Sequence, residues 1–205
     1  MIHASCLRAL CAAGLSLIPA VALADGFYAK LFGGASDLRA TTATLGADRG
    51  PATLDAGFFA GGAIGYAYPG SALRAEVEYA YRTGGVAGLP AAIGSGDNFA
   101  STAIMVNGHY VFPGTAGWSP YAGLGLGALT EVDLDLTAPE AEYSARGVLA
   151  YQLILGVELA ISDRARLFGE LRYLDAGRVD MTGPGGVLSA DYATTDLGVG
   201  LSLLF

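Results

Sequence analysis

Apolar and polar residues alternate with a period of two through most of the chain after residue 24. Successive side chains of a β-strand point to opposite faces, so the alternation predicts strands that each have one apolar face. The pattern recurs in eight segments, each long enough for a tilted membrane strand of about 9–11 residues. It is clearest in residues 73–82 and 165–174. The chain is therefore predicted to be all-β, with eight main strands.

The charges of these segments lie on one face only. The apolar face contains no charged residue, whereas the opposite face contains five of each sign. These ten residues are Lys30, Arg74, Glu76, Glu78, Arg82, Glu158, Arg166, Glu170, Arg172 and Asp196. A charge facing lipid near the middle of a bilayer costs about 2–4 kcal/mol, so the apolar face suits a lipid environment. The charged face suits a narrow interior in which each charge finds an opposite partner.

A soluble antiparallel sandwich or a lipocalin-like barrel also alternates, but with the apolar face inside and charge outside. Such a protein would carry Lys or Glu at the outward positions that are here Leu153, Leu155, Leu167 and Leu201. We therefore predict a closed eight-stranded antiparallel up-and-down transmembrane β-barrel, with leucines toward lipid and the ten charges as an interior network.

The first 24 residues predict a cleaved signal peptide. Arg8 precedes an apolar run over residues 10–21, and Ala22-Leu23-Ala24 supplies a small-x-small cleavage site. The run is too short for a retained anchor, and Pro19 breaks it just before that site. We expect the mature barrel to comprise residues 25–205.

Cysteine content and charge narrow the possible functions. Cys6 and Cys11 both lie in the signal segment, so we expect neither a disulfide nor a thiolate metal site in residues 25–205. That part of the chain carries 10 basic and 19 acidic residues, a net charge of −9. Such an acidic protein is not expected to bind nucleic acid.

The connections between the segments alternate in length. Four long ones are predicted as external loops, over residues 35–55, 84–98, 132–146 and 176–190, and the intervening ones are short, as in periplasmic turns. This threading places outward aromatic residues at both ends of the barrel, as two membrane girdles. The periplasmic girdle is Phe27, Tyr66, Tyr68, Tyr110, Phe112 and Phe205, and the outer girdle is Phe58, Tyr79, Tyr81, Tyr151 and Tyr173.

Several short motifs add a family resemblance. They are Gly26-Phe27-Tyr28, the Arg-x-Glu-x-Glu-Tyr of residues 74–79, the Glu-x-Arg-Tyr of residues 170–173, and the terminal Gly-x-Gly-x-x-x-x-Phe of residues 198–205. With the signal peptide, they resemble the opacity-type, OmpA-like eight-stranded outer-membrane proteins of Gram-negative bacteria. The resemblance implies location in the outer membrane, and it implies that Phe205 is the terminal aromatic residue recognised by the outer-membrane assembly machinery. The family includes adhesins, surface antigens and envelope-stabilising proteins, so the resemblance leaves the activity open.

Two motifs suggest chemistry that the pattern does not support. Residues 123–128 match the G-x-G-x-x-A dinucleotide motif, but no βαβ unit surrounds them. Inward glycines in a narrow barrel are better explained as space for large side chains opposite. His109 is the only histidine outside the signal segment, and the alternation turns it inward beside Asn107, where we expect a hydrogen-bonded interior residue rather than a hydrolase base.

Residues 131–142 form the most acidic stretch. The alternation of Glu131, Asp133 and Asp135 with apolar residues suggests that the fifth main strand continues above the membrane, with the acids on one side. Calcium binding or cation bridging to lipopolysaccharide is one interpretation, because clustered carboxylates bind hard cations. A solvated face is the interpretation we favour.

These features predict a non-enzymatic outer-membrane protein that acts in envelope integrity and surface interaction through its four loops. No catalytic residue, cofactor or metal is expected. The predicted partners are outer-membrane lipid and lipopolysaccharide, the assembly machinery and an unidentified surface ligand. A narrow porin-like channel is the alternative, and a lipid-modifying outer-membrane enzyme is a more distant one.

Overall fold

Eleven β-strands contain most of the residues that the computed structural model describes, which are 26–39, 41–90, 93, 95–138 and 140–205. The predicted signal peptide lies outside this range. The strands are β1 (Phe27–Leu38), β2 (Thr41–Leu45), β3 (Asp48–Leu54), β4 (Gly57–Ala67), β5 (Leu73–Gly88), β6 (Ser95–Val111), β7 (Trp118–Ala138), β8 (Glu140–Ala145), β9 (Val148–Ala160), β10 (Ala165–Gly183) and β11 (Gly186–Leu204). The described residues include no helix long and apolar enough to cross a membrane.

Eight strands close into an antiparallel ring, which we call the lower ring. Its order is β1, β4, β5, β6, β7, β9, β10 and β11, and β11 pairs back to β1. Closure leaves no unpaired edge, which a chain in lipid requires because no water is present to satisfy backbone groups. The predicted fold class is confirmed.

Apolar side chains cover the outside of the lower ring. Leu31 is 74% exposed and Leu155 is 60% exposed, whereas the neighbouring inward residues Lys30 and Ile154 are buried. The four leucines predicted to face lipid, Leu153, Leu155, Leu167 and Leu201, are all exposed. The predicted assignment of faces is therefore correct in this ring.

Outward aromatic residues form contacting groups at the two ends of the lower ring. Near the short turns, the ring of Tyr66 lies 4.9 Å from that of Phe27 and 5.2 Å from that of Tyr68. At the opposite end, Tyr151 and Tyr173 lie 6.4 Å apart. Trp118, which the sequence interpretation did not place in a girdle, is also exposed near the short-turn end. Such groups match the two interfaces of a bilayer.

The four ranges predicted as loops are mostly strand. Beyond the outer aromatic group, β2 pairs with β11 through Leu45 and Leu188, β3 pairs with β5, and β8 lies between β7 and β10. Strands β2, β3, β5, β6, β7, β8, β10 and β11 thereby form a second closed ring, which we call the upper ring. The hairpins are not separate loops in solvent, because the backbone of each one pairs with its neighbours.

The inward and outward faces exchange between the two rings. In β7, Gly123 and Gly125 face inward, but above an extra residue at Thr130 the inward positions become Val132 and Leu134. A similar irregularity between Asp175 and Gly177 occurs in β10. A bulge inserts one residue into a strand and therefore turns all following side chains to the other face.

The interior of the upper ring is apolar. Leu129, Leu134, Leu174, Met181 and Leu188 belong to one buried cluster there. The outer face of the same strands carries Glu131, Asp133 and Asp135, as in a soluble barrel. The apolar exterior predicted for the eight main strands is thus confined to the lower ring, and the continuation of the fifth main strand with its acids on one side agrees with the prediction for residues 131–135.

Candidate functional site

The ten charged residues predicted to face inward come from five strands of the lower ring: β1, β5, β9, β10 and β11. Eight are buried, and Arg74 and Arg166 retain 17% and 28% side-chain exposure. All ten take part in an ion pair or a charged hydrogen bond. The alternation of the strands turns all of these side chains toward the interior of the lower ring. The strand register of the closed ring then determines which of them form pairs.

Arg172 is the centre of the network. Its Nη1 atom donates a hydrogen bond to Glu78 Oε1 at 2.7 Å, and its Nε atom donates to Glu170 Oε2 at 2.7 Å. The guanidinium also lies 4.2 Å from the centroid of the Phe32 ring. One fully buried cation therefore joins carboxylates from opposite sides of the barrel, and such charge-assisted hydrogen bonds are among the stronger ones in proteins.

Lys30 extends the network toward the short-turn end. Its Nζ atom donates to Glu170 Oε1 at 2.7 Å and lies 3.6 Å from Glu76 Oε2. The Tyr121 hydroxyl donates to the same Glu170 oxygen at 2.5 Å. The ammonium group also lies 4.4 Å from the centroid of the Phe168 ring. Charges and rings together fill this level of the interior.

Three further ion pairs flank the centre. Arg82 Nε donates to Asp196 Oδ2 at 2.8 Å, and the Ser36 hydroxyl donates to Asp196 Oδ1 at 2.6 Å. At the other end, Arg74 donates two hydrogen bonds to Glu158, at 2.7 and 2.8 Å. Arg166 lies 3.5 Å from the same carboxylate.

Neutral residues complete the hydrogen bonding, and sequence analysis did not assign them a role in the network. Asn107 Nδ2 donates to Glu76 Oε1 at 3.1 Å and to Glu78 Oε2 at 2.9 Å. Gln152 Nε2 donates to Asn107 Oδ1 at 2.7 Å, and the Tyr28 hydroxyl donates to Glu76 Oε2 at 3.1 Å. The alternation of the strands indicates that these side chains point inward, and this was the only feature of the sequence that could have identified them. Which carboxylate each one meets depends on strand register and barrel closure.

His109 faces the interior, as the alternation predicts. It is buried, its Nε2 atom lies 3.0 Å from Glu76 Oε1, and its ring packs edge-on against Tyr121. The described residues contain no group of three or more His, Cys, Asp or Glu side chains that could hold a metal ion. His109 is thus an interior residue whose ring lies beside a carboxylate.

The glycines of the G-x-G-x-x-A match make room for large inward side chains. A Cβ atom at Gly123 would lie 2.5 Å from His109 Nδ1, and one at Gly127 would lie 2.7 Å from Met105 Sδ. At Gly125 it would lie 2.1 Å from Asn107 Oδ1. This crowding supports the steric interpretation of the motif over nucleotide binding.

We expect Gly125→Ala to lower the free energy of unfolding by about 1–3 kcal/mol, because the added methyl displaces Asn107 from its carboxylates. Gly108→Ala is the matched control, since a Cβ atom there meets nothing within 4 Å. It should leave stability unchanged or slightly higher. Urea titrations of both variants in lipid vesicles measure the difference, and equal stabilities would contradict the crowding.

The acidic stretch at residues 131–142 lies on the outside of the upper ring, in β7 and β8. Arg146 forms an ion pair with Glu131. Burial, together with the nearby carboxylates of Glu131 and Glu142, raises the pKa of Asp133. The stretch therefore holds mutually repelling carboxylates on a partly exposed face.

Because the folded pKa of Asp133 lies above its unfolded value, its protonated form favours the folded state. The stability that protonation supplies is complete below the unfolded pKa of about 3.9 and is lost as pH rises through the folded pKa. We expect Asp133→Asn to be more stable than the unmodified protein at pH 7 and equally stable near pH 3. Urea midpoints at the two pH values test this, and a variant that is less stable at pH 7 would contradict it.

Comparison with known proteins shows which family has this architecture. A family model described as an outer membrane protein beta-barrel domain matches residues 8–205. The chain belongs to this family. Membership of this family, together with the closed lower ring, places the protein in the outer membrane of Gram-negative bacteria.

Two solved structures share the fold of this outer-membrane barrel. Neisserial surface protein A is 20% identical with a TM-score of 0.58, and the match covers 88% of this chain and 97% of that one. The outer membrane protein AlkL, solved by solid-state NMR in DMPC bilayers, is 16% identical with a TM-score of 0.58, over 88% of this chain and 90% of that one. Among curated proteins, none matches.

Proposed function

We propose that the protein is a non-enzymatic, non-conducting outer-membrane barrel that acts in envelope integrity and surface interaction through its upper ring. The observation that carries this proposal is the buried ion-pair network centred on Arg172. An eight-stranded barrel has an interior about as wide as its own side chains, and here paired charges and aromatic rings occupy it. An interior filled in this way supports the proposal that water and solutes do not pass through the lower ring.

The upper ring is the part of the barrel that can meet a partner outside the cell. Backbone pairing joins its hairpins, so they present a fixed surface rather than separate mobile loops. Exposed charged residues such as Arg146, Arg178 and Asp180 lie on this surface. Conserving a rigid scaffold while varying such exposed positions is how many binding proteins change partners.

Lipid and lipopolysaccharide are the proposed surroundings of the lower ring. Phe205 is proposed as the assembly signal: it is 40% exposed, and its backbone N–H donates to the Phe27 carbonyl oxygen at 3.0 Å. The terminal residue is therefore fixed at the barrel seam with its ring turned outward.

Conductance of the purified, refolded protein in planar bilayers tests the proposal against the narrow-channel alternative. We expect no stable conductance, and no swelling of protein-containing liposomes in small sugars. A stable conductance of porin size, or swelling in those sugars, would overturn the non-conducting proposal and favour a channel.

Complementation of a bacterial strain that lacks the gene for this protein tests the surface role. The test variant replaces residues 41–54, which form β2 and β3, with a short Gly-Ser link, and heat-dependent gel migration verifies that the lower ring still folds. We expect the folded variant to fail to restore envelope integrity or surface binding. Full complementation by this variant would contradict a role for this hairpin.

A further inference from the structure

Within the part of the chain that the structure describes, two short seams join the β2–β3 hairpin to the rest of the upper ring. On one side, residues 44–45 of β2 pair with residues 188–189 of β11. On the other side, residues 53–54 of β3 pair with β5 across a register irregularity. The β7–β8 hairpin, by contrast, continues the pairing of β7 with β6 along most of its length. The backbone therefore holds β2–β3 to its neighbours less firmly than it holds β7–β8.

The side chains of the β2–β3 hairpin also bury little apolar surface. Its buried apolar residues are Ala43 and Ala52, and its leucines Leu45 and Leu54 are only partly buried against the same cluster. Over residues 132–136, β7 buries a valine and two leucines in that cluster. Hydrophobic stabilisation grows with the apolar area removed from water, so the two alanines contribute less than the larger residues of β7.

The base of the hairpin is fixed more firmly than its sides. The Arg39 backbone N–H donates to the Ala193 carbonyl oxygen at 3.1 Å, and the Asp55 backbone N–H donates to the Gly85 carbonyl oxygen at 2.8 Å. Residues 55–56 interrupt the strand between β3 and β4. An anchored base next to a break in the strand is a suitable place for a hinge, because a few residues there can absorb a change of direction.

From these contacts we propose that the β2–β3 hairpin is a flap, which swings outward about its base and opens the wall of the upper ring while the lower ring stays closed. The closed position belongs to the surface described above. Opening breaks the two seams and the hydrogen bond from the Asp191 backbone N–H to Thr41 Oγ1. It uncovers the edge of β11 and part of the buried cluster to molecules outside the cell.

Hydrogen exchange of the protein in lipid nanodiscs, read by mass spectrometry, tests the flap. A two-stranded hairpin that has left its sheet is only marginally stable in water, so its amides exchange whenever it opens. We expect residues 41–54 to exchange at least a hundredfold faster than β8 and the upper part of β7. Residues 165–174 of the lower ring should stay protected.

A disulfide across one seam should hold the flap closed. Residues 25–205 contain no cysteine, so Thr44→Cys with Ser189→Cys creates a single pair at directly opposed positions of β2 and β11. We expect formation of this disulfide to slow the exchange of residues 41–54 at least tenfold relative to the reduced form. If this pair does not fold or oxidise, Thr53→Cys with Gly88→Cys spans the seam on the other side.

The matched control joins two strands that do not belong to the flap. Asp133→Cys with Ser144→Cys pairs directly opposed positions of β7 and β8, and its disulfide should leave the exchange of residues 41–54 unchanged. Equal exchange of the two hairpins in the untethered protein would overturn the proposal. So would flap exchange that a disulfide across its seam does not slow, or slowing of the same size by the control disulfide.

Discussion

Arg172→Met is expected to lower the free energy of unfolding by about 3–5 kcal/mol, because it leaves two buried carboxylates without their shared cation. Arg172 is 0% exposed and bonds to both Glu78 and Glu170. Lys30 and Tyr121 can still satisfy Glu170, so the larger penalty falls on Glu78. Urea titration of the refolded variant in lipid vesicles measures the loss.

Two further variants separate charge from volume. Adding Glu78→Gln to Arg172→Met removes one of the unpaired charges and should recover part of the lost stability. Arg146→Met breaks the exposed pair with Glu131 and should change stability little, because solvent screens such pairs. If Arg172→Met were no more harmful than Arg146→Met, the network would not stabilise the barrel.

The second large effect concerns the lipid-facing surface. Leu155→Arg should destabilise the protein by about 2–4 kcal/mol, because Leu155 is 60% exposed midway along β9 and a charge there would lie in hydrocarbon. Equilibrium refolding into vesicles at a series of urea concentrations measures this difference.

Val187→Arg is the matched control for that substitution. Val187 is also apolar and 50% exposed, but it lies near the tip of the β10–β11 hairpin in the upper ring. There the added arginine meets water, and we expect little change. Equal losses at Leu155 and Val187 would mean that the membrane does not surround the lower ring.

The lower ring could be predicted because its alternation is long and its charges all fall on one side. Residues 165–174 alone show which side chains face lipid and which face inward. The partners within the ion-pair network could not be predicted from the sequence, since Arg172 and Glu78 are 94 residues apart. They meet only because the register of eight strands brings both to one level of a closed ring.

The upper ring was predicted as four loops, with only the fifth main strand expected to continue above the membrane, and the exchange of faces within that strand could not be predicted. Val132, Leu134 and Leu136 alternate with acids much as Leu124 and Leu126 alternate with glycines, yet the first group faces inward and the second outward. A single extra residue at Thr130 makes the difference. Nothing in the local composition distinguishes a bulge there from a continuous strand, so the apolar interior of the upper ring could not be foreseen either.

The reversal of faces along β7 is the central structural claim, and site-directed spin labelling tests it most directly. Both cysteines lie in residues 1–24, so single cysteines can be placed along β7 in protein that comprises residues 25–205, at residues 124–136, and labelled in vesicles. We expect oxygen accessibility to peak at 124 and 126, nickel-chelate accessibility to peak at 131, 133 and 135, and both to be low at 132 and 134. Oxygen maxima that continue at 132 and 134 would contradict the reversal.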